Sequence, residues 1–168
     1  SSNTFSAGSA GSVEINGETL LIDGTGGTAS RFTGISSGSE DAATGNAGAI
    51  TVDTGSTTIL GRGVISTNTA GSGSAGTVTL TSSSLLLDGR SAPESFTGIS
   101  SDSTASASGN AGAVDVTADS ITILGGGHVS STTAGTGAGG QVTLTGGTIL
   151  IDGTGAPVGI TDVASRSL

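Results

Sequence analysis

Apolar and polar residues alternate in five blocks of this chain, and all five blocks share one template. Each block begins with Gly after Ala or Gly. An apolar residue follows two positions later, with further apolar positions 2, 7 and 9 residues beyond it and Gly at the eleventh step. The blocks are Val13, Ile15, Leu20, Ile22, Gly24; Ile50, Val52, Thr57, Ile59, Gly61; Val78, Leu80, Leu85, Leu87, Gly89; Val114, Val116, Ile121, Ile123, Gly125; and Val142, Leu144, Ile149, Ile151, Gly153. This period-two alternation predicts β-strands.

A sixth element completes each block, an aliphatic residue followed by hydroxyls. These elements are Ile35-Ser36, Ile65-Ser66, Ile99-Ser100, Val129-Ser130 and Ile160-Thr161. Each block therefore predicts three short strands, which cannot be stable alone. Parallel pairing of equivalent strands solves this problem. We predict an all-β fold, a right-handed parallel β-helix of about five coils with three strands each, as one domain over residues 1–168.

The coils alternate between long and short. The first Gly of each block lies 37, 28, 36 and 28 residues from the next, at Gly11, Gly48, Gly76, Gly112 and Gly140. The extra residues of the odd coils fall between the second and third predicted strands. They include Arg31-Phe32, the run from Pro93-Glu94 to Phe96, and a shorter insertion with Pro157. Insertions at one corner place all long loops on one side of a solenoid.

Outward Leu residues predict an apolar stripe beside these loops, and such stripes are usually covered or used in binding. We expect Phe32 and Phe96 to cover Leu21 and Leu86, because the Phe and the loop occur only in odd coils. The alternative is an open stripe that binds a partner. The candidate partner-binding residues are Arg31, Phe32, Pro93, Glu94 and Phe96.

Composition restricts the function further. The chain has a net charge of −9, four Arg and no Lys, which disfavours binding to nucleic acid or to anionic lipid. It has no Cys, so it forms no disulfide framework. No apolar run is long enough for a membrane helix, and we predict no membrane insertion.

The first eleven residues align without gaps to residues 66–76, so the chain begins in the phase of the third predicted strand. It ends shortly after Ile160-Thr161-Asp162, which we read as the same phase. Open solenoid ends expose unpaired backbone and favour strand addition. The sequence thus predicts either an excerpt of a longer repeat array or a unit that stacks end to end.

The recurring Gly-x-Val-x-Val, Leu-x-Leu-x-Gly and Ile-Ser-Ser-x-Thr patterns resemble the repeats of filamentous-haemagglutinin-like exoproteins of the two-partner-secretion type. The resemblance covers nearly the whole chain. It implies a secreted or surface-attached bacterial β-helix that serves as an adhesin, stalk or filament.

Residues with catalytic chemistry are few. His128 is the only His, lies after three Gly, and is expected to be an exposed turn residue. Asp23, Asp88 and Asp152 recur on alternate coils, which favours Asp-Gly turns over a unique catalytic pair. Adventitious Ca²⁺ at Glu40-Asp41 is the only metal candidate, and no cofactor is predicted.

We therefore predict a non-enzymatic, extracellular fibre or adhesin segment. Its partners would be a glycan or another surface ligand at the long loops, and copies or neighbouring repeats at its ends. Two alternatives stay open. One is an ice-binding solenoid that uses outward Thr rows such as Thr79/Thr81 and Thr143/Thr145, and the other is a polysaccharide-active β-helix enzyme.

Overall fold

The computed structural model describes residues 1–28, 31–155 and 159–168. Eleven strands and no helix occur in these ranges. The strands are β1 (Ser2–Thr4), β2 (Val13–Asp23), β3 (Thr33–Ser39), β4 (Ile50–Leu60), β5 (Gly63–Thr69), β6 (Val78–Asp88), β7 (Thr97–Ser103), β8 (Val114–Leu124), β9 (Gly127–Thr133), β10 (Val142–Asp152) and β11 (Asp162–Ser167).

The strands form two sheets in which every pair is parallel. The long strands pair in the order β2-β4-β6-β8-β10, and the short strands in the order β1-β3-β5-β7-β9-β11. One long strand and the short strand after it make one coil, so coil 1 contains β2 and β3, and coil 5 contains β10 and β11. The prediction of a parallel β-helix of about five coils is confirmed, while its right hand stays a prediction.

The prediction of three strands per coil is wrong, because the first two predicted strands are halves of one 11-residue strand. In β4 the buried positions alternate as far as Thr54, two outward positions follow at Gly55 and Ser56, and alternation resumes at Thr57. The strand therefore bends without leaving the sheet. Thr57, the one polar residue in the apolar template, lies inside, where its hydroxyl is 2.7 Å from that of Thr54.

The core lies between the two sheets and consists of stacked aliphatic layers. Central-coil residues such as Ile59, Leu87 and Ile123 are fully buried. Corresponding residues of the terminal coils are more open: Ile149 and Ile151 of coil 5 each retain 45% exposure. Burial therefore depends on having a coil on both sides.

The strand register corrects one sequence assignment. Val163 pairs with Val129 and packs against the core, whereas Ile160 is 59% exposed. The third element of coil 5 is therefore Val163-Ala164, and Ile160-Thr161 corresponds to Phe96-Thr97. The connection before it covers residues 153–161 and is not shorter than those of coils 1 and 3, at 24–32 and 89–96. Pro157 lies outside the described residues.

The connections from each short strand to the next long strand form what we call the glycine corner. Its glycines stack with no room for a side chain: a Cβ on Gly48, Gly76, Gly112 or Gly140 would overlap the carbonyl oxygen of the same glycine one coil earlier. Inward hydroxyls of the short strands hold this backbone. Ser101 Oγ donates to Gly76 O at 2.9 Å and accepts from Gly112 N at 2.8 Å.

The connections from each long strand to the short strand after it form the loop corner. Here the coils alternate, as predicted. Coils 1, 3 and 5 carry connections of eight or nine residues, while coils 2 and 4 turn in two residues, Gly61-Arg62 and Gly125-Gly126. Gly126 has φ of 85° and Arg62 has φ of 70°, the left-handed region that permits so tight a turn.

Candidate binding site at the loop corner

The long loops of coils 1 and 3 both end in Phe, at Phe32 and Phe96, and the short strand after each begins with Thr-Gly. Alternate residues of a strand share a face, so each Phe shares the outer face of the short-strand sheet with the Gly two positions later. Gly98 pairs with His128 on β9, and a Cβ on Gly98 would overlap His128 O, so the two strands approach closely here. Phe96 stacks on His128, with ring centroids 5.4 Å apart and planes 13° apart.

This placement overturns the expected cover of the Leu stripe. Leu21 is 59% exposed and Phe32 is 58% exposed, so Phe32 does not cover it. Phe96 packs on His128 rather than serving as a lid for Leu86. The Phe residues belong to the outer face of the short-strand sheet, while the outward Leu residues belong to the long-strand sheet. The expectation is wrong because period-two alternation places each Phe on the same face as the Gly two positions later, away from the long-strand sheet.

The expectation that His128 is an exposed turn residue is wrong. It is the second residue of β9, and its side chain is only 19% exposed. Its Nδ1 lies 2.9 Å from Asp162 Oδ1, and the other oxygen of Asp162 accepts a hydrogen bond from Arg166. Asp162 and Arg166 lie 34 and 38 residues after His128 in the chain. Only the corrected register of β11 places them beside His128, so the sequence analysis missed them.

The Phe96–His128 pair separates two shallow depressions on the outer surface. One of about 360 Å³ is lined by Pro93, Glu94, Ser95, Gly159 and Ile160 as well as both rings. The other, of about 350 Å³, reaches Asp102, Ser130, Thr132 and Arg166. Three predicted binding residues, Pro93, Glu94 and Phe96, therefore lie together. Arg31 and Phe32 are exposed two coils away and line neither depression.

Asp102 is a partly buried carboxyl in the second depression. Burial raises its pKa, and hydrogen bonds from Ser100 and from the backbone of Thr132 oppose that shift. It shares a row with Thr132 and Arg166 on three neighbouring strands. The second depression thus offers an acceptor, hydroxyls and a cation beside an aromatic ring, groups that can orient a small polar ligand.

The Asp-Gly turns are confirmed as structural features. Asp23, Asp88 and Asp152 each accept a hydrogen bond from the backbone N–H two residues later, at 2.8–3.0 Å. Hydrogen bonds lower the pKa of all three carboxyls. The largest cause is the Thr25 side chain at Asp23, the Arg90 side chain at Asp88 and the Thr154 backbone N–H at Asp152. Leu60 and Leu124 separate them in one row across the sheet. Each carboxylate therefore serves its own turn.

The outward Thr residues lie in rows that carboxylates interrupt. One row runs Glu14, Thr51, Thr79, Asp115, Thr143, and the next runs Asn16, Asp53, Thr81, Thr117, Thr145. Charge thus breaks the regular hydroxyl lattice that an ice-binding face would present. No group of three or more His, Cys, Asp or Glu side chains able to hold a metal ion occurs in the part of the chain that the structure describes.

Comparison with protein-family models, curated proteins and solved structures finds no match to this chain. The described ranges contain no helix that is long and apolar enough to cross a membrane.

Proposed function

We propose that this chain is a structural solenoid segment of an extracellular fibre or adhesin, which extends along its axis and displays ligand-binding loops at one side. One observation carries the proposal: every long connection emerges at the same corner of a continuous parallel stack. Such a scaffold fixes the spacing of displayed groups, since equivalent residues of successive long coils lie two strand spacings, about 9.6 Å, apart.

The displayed residues favour a ligand over further packing. Phe32, Phe96 and Ile160 occupy equivalent positions in coils 1, 3 and 5 and are 58%, 36% and 59% exposed. A net charge of −9 repels polyanions, so a neutral glycan or another uncharged surface ligand suits this corner better than an acidic polymer. Along the axis the partners would be further repeats or another copy of the chain.

The resemblance to filamentous-haemagglutinin-like exoproteins supports this role through the repeat residues alone. A bacterial origin, secretion and attachment to a cell surface belong to the same proposal. A non-catalytic role fits the use of the recurring Asp residues in their own turns. It also fits the recurrence of these Asp residues on alternate coils, whereas a catalytic group is normally unique.

The test is retention of the full chain on surfaces that carry neutral or acidic oligosaccharides. We expect binding to a neutral array, and at least about a fivefold loss in Phe96→Ala, since a stacked ring is typically worth about 1 kcal/mol or more. Thr117→Ala, an exposed change on the long-strand sheet, is the control. No binding to any array, or equal binding by Phe96→Ala, would contradict the display role.

A further inference from the structure

The two-residue turns of the short coils fit into slots between long loops. Gly61 of coil 2 lies between Thr25 of coil 1 and Ser91 of coil 3: a Cβ on Gly61 would lie 3.1 Å from Thr25 Oγ1 and would overlap Ser91 Oγ. Gly125 of coil 4 repeats this arrangement, with Arg90 of coil 3 on one side and Thr154 O of coil 5 on the other, 3.1 Å from a built Cβ. In each slot a side chain in place of Gly would have to displace a side chain of the neighbouring long loop.

Two equivalent hydrogen bonds also join the long coils to these turns. Thr97 Oγ1 of coil 3 accepts a hydrogen bond from Arg62 N of coil 2 at 2.8 Å. Thr161 Oγ1 of coil 5 accepts one from Gly126 N of coil 4 at 2.7 Å. In both cases a Thr of a long coil satisfies the backbone of the short turn just before it.

Long loops of alternate coils meet above the short turn. The hydroxyls of Thr25 and Ser91 are 3.5 Å apart. A Cβ on Gly155 of coil 5 would lie 3.1 Å from Arg90 Cδ of coil 3, and one on Gly159 would overlap Pro93 O. The long loops therefore fill the space on both sides of a short coil. A second long loop directly adjacent to the first would compete for that space.

Coil 5 is a long coil whose far side has no neighbour among the described residues. Its apolar residues Ile149 and Ile151 are 45% exposed, whereas Ile121 and Ile123, one coil earlier, are fully buried. The backbone of β10 and β11 is paired on one side only. This open face of coil 5 continues the established interface between coils, and it lies where the next coil of the alternation would sit.

We infer that the open face of coil 5 is a docking surface for one kind of partner, a short-type coil with an 11-residue strand and a two-residue turn that begins with Gly. The inference rests on the proposed structural role and specifies the axial partner. A second copy of the chain fits this surface poorly. In an end-to-end pair, β1 of the second copy would face β11 and β2 of the second copy would face β10. Because β2 belongs to a long coil, two long coils would then be adjacent.

The experiment extends the chain after Ser167 with one further coil. One variant carries a copy of residues 104–133, the short coil 4, and the other carries residues 70–103, the long coil 3. Both segments begin at positions equivalent to Leu168, as the matching backbone bonds of Ala70, Thr104 and Leu168 show. Amide hydrogen exchange of β10 and β11 is then compared with that of the unextended chain.

We expect the short extension to slow exchange in β10 and β11 at least about tenfold, as for strands that gain a second neighbour. The long extension should give clearly less protection. A third variant, the short extension with Val at both turn glycines, should lose most of the gain. The inference is overturned if the long or the Val-substituted extension protects equally well. It is also overturned if sedimentation shows the unextended chain forming end-to-end dimers with protected β10 amides. Neither result bears on ligand binding at the loops, which tests the proposed function.

Discussion

The two corners of the solenoid solve the same problem, reversing the chain between sheets, in opposite ways. At the glycine corner every coil uses the same solution, with Gly stacked on Gly and an inward hydroxyl bonded to their backbone. At the loop corner neighbouring coils differ, and a long loop always lies beside a two-residue turn. Uniform packing therefore defines one corner, and alternation defines the other.

The difference shows where the chain can vary. The glycine corner is restricted by backbone contacts that no side chain can enter, so substitutions there should damage the stack. At the loop corner the space above each short turn is shared by two long loops. Within that restriction, loop residues such as Phe96 and Ile160 remain available for display. Close coil stacking thus lies on one side of each coil, and the proposed display role lies on the other.

The largest effect should come from Gly76→Ala at the glycine corner. The new Cβ would overlap Gly48 O and lie 3.2 Å from Thr67 Cγ2. Because rigid backbone is involved, we expect a loss of about 3 kcal/mol, within the usual range for overpacking. The melting temperature should fall by roughly 6–12 °C in a thermal unfolding experiment.

Gly17→Ala is the control for this change. Gly17 lies in β2, and no atom lies within 4 Å of a Cβ built there. Its stability should stay within about 0.5 kcal/mol of the parent chain. Equal destabilisation by the two substitutions would show that lost glycine flexibility, rather than close coil stacking, matters at the glycine corner.

A smaller effect is expected at the loop corner from Thr97→Val. The Thr97 side chain is buried, and its hydroxyl is the acceptor for Arg62 N. Removing this hydroxyl should lower the free energy of unfolding by about 1 kcal/mol. The equivalent change Thr33→Val should have little effect, since no hydrogen bond joins the Thr33 hydroxyl to any residue that the structure describes. Denaturant unfolding would measure both. If Thr33→Val costs as much as Thr97→Val, the hydroxyl does not hold the short turn.

Asp102→Asn should have the smallest effect, and its sign depends on pH. Burial raises the pKa of Asp102 in the folded chain, so the folded state binds more protons than the unfolded state between the two pKa values. Stability is therefore lost as pH rises through the folded pKa, and the cost persists at neutral pH. Asn removes this charge, so its melting temperature should be slightly higher at pH 7, and the advantage should shrink below the ordinary carboxyl pKa. An advantage that grows at low pH would contradict this assignment.

The sequence predicted the stack well because its signal repeats. Five copies of one apolar spacing defined the coils, and the glycine spacings revealed the alternation of long and short coils. The bend at Gly55 and Ser56 was misread as a break between strands, since two outward residues interrupt period-two alternation there without ending the hydrogen-bonded ladder.

The candidate site was less predictable because it depends on pairs between strands. Phe96 and His128 stack although they are 32 residues apart in the chain and belong to neighbouring coils. Asp162 joins His128 through a register that the sequence misassigned when Ile160 was taken for the core residue in place of Val163. Where one coil differs from all others, internal repetition gives no guidance.

The central claim, a stack in which short and long steps alternate in fixed register, can be tested with paired cysteines, since the chain has none of its own. Thr51 pairs with Thr79 across the 28-residue step, and Thr79 pairs with Asp115 across the 36-residue step. Paired Cα atoms lie about 4.8 Å apart, which suits a disulfide, whereas Thr51 and Thr81 are about 8 Å apart. We expect Thr51→Cys/Thr79→Cys and Thr79→Cys/Asp115→Cys to oxidise readily and Thr51→Cys/Thr81→Cys to stay reduced. Faster cross-linking of the displaced pair than of the two registered pairs would contradict the alternating stack.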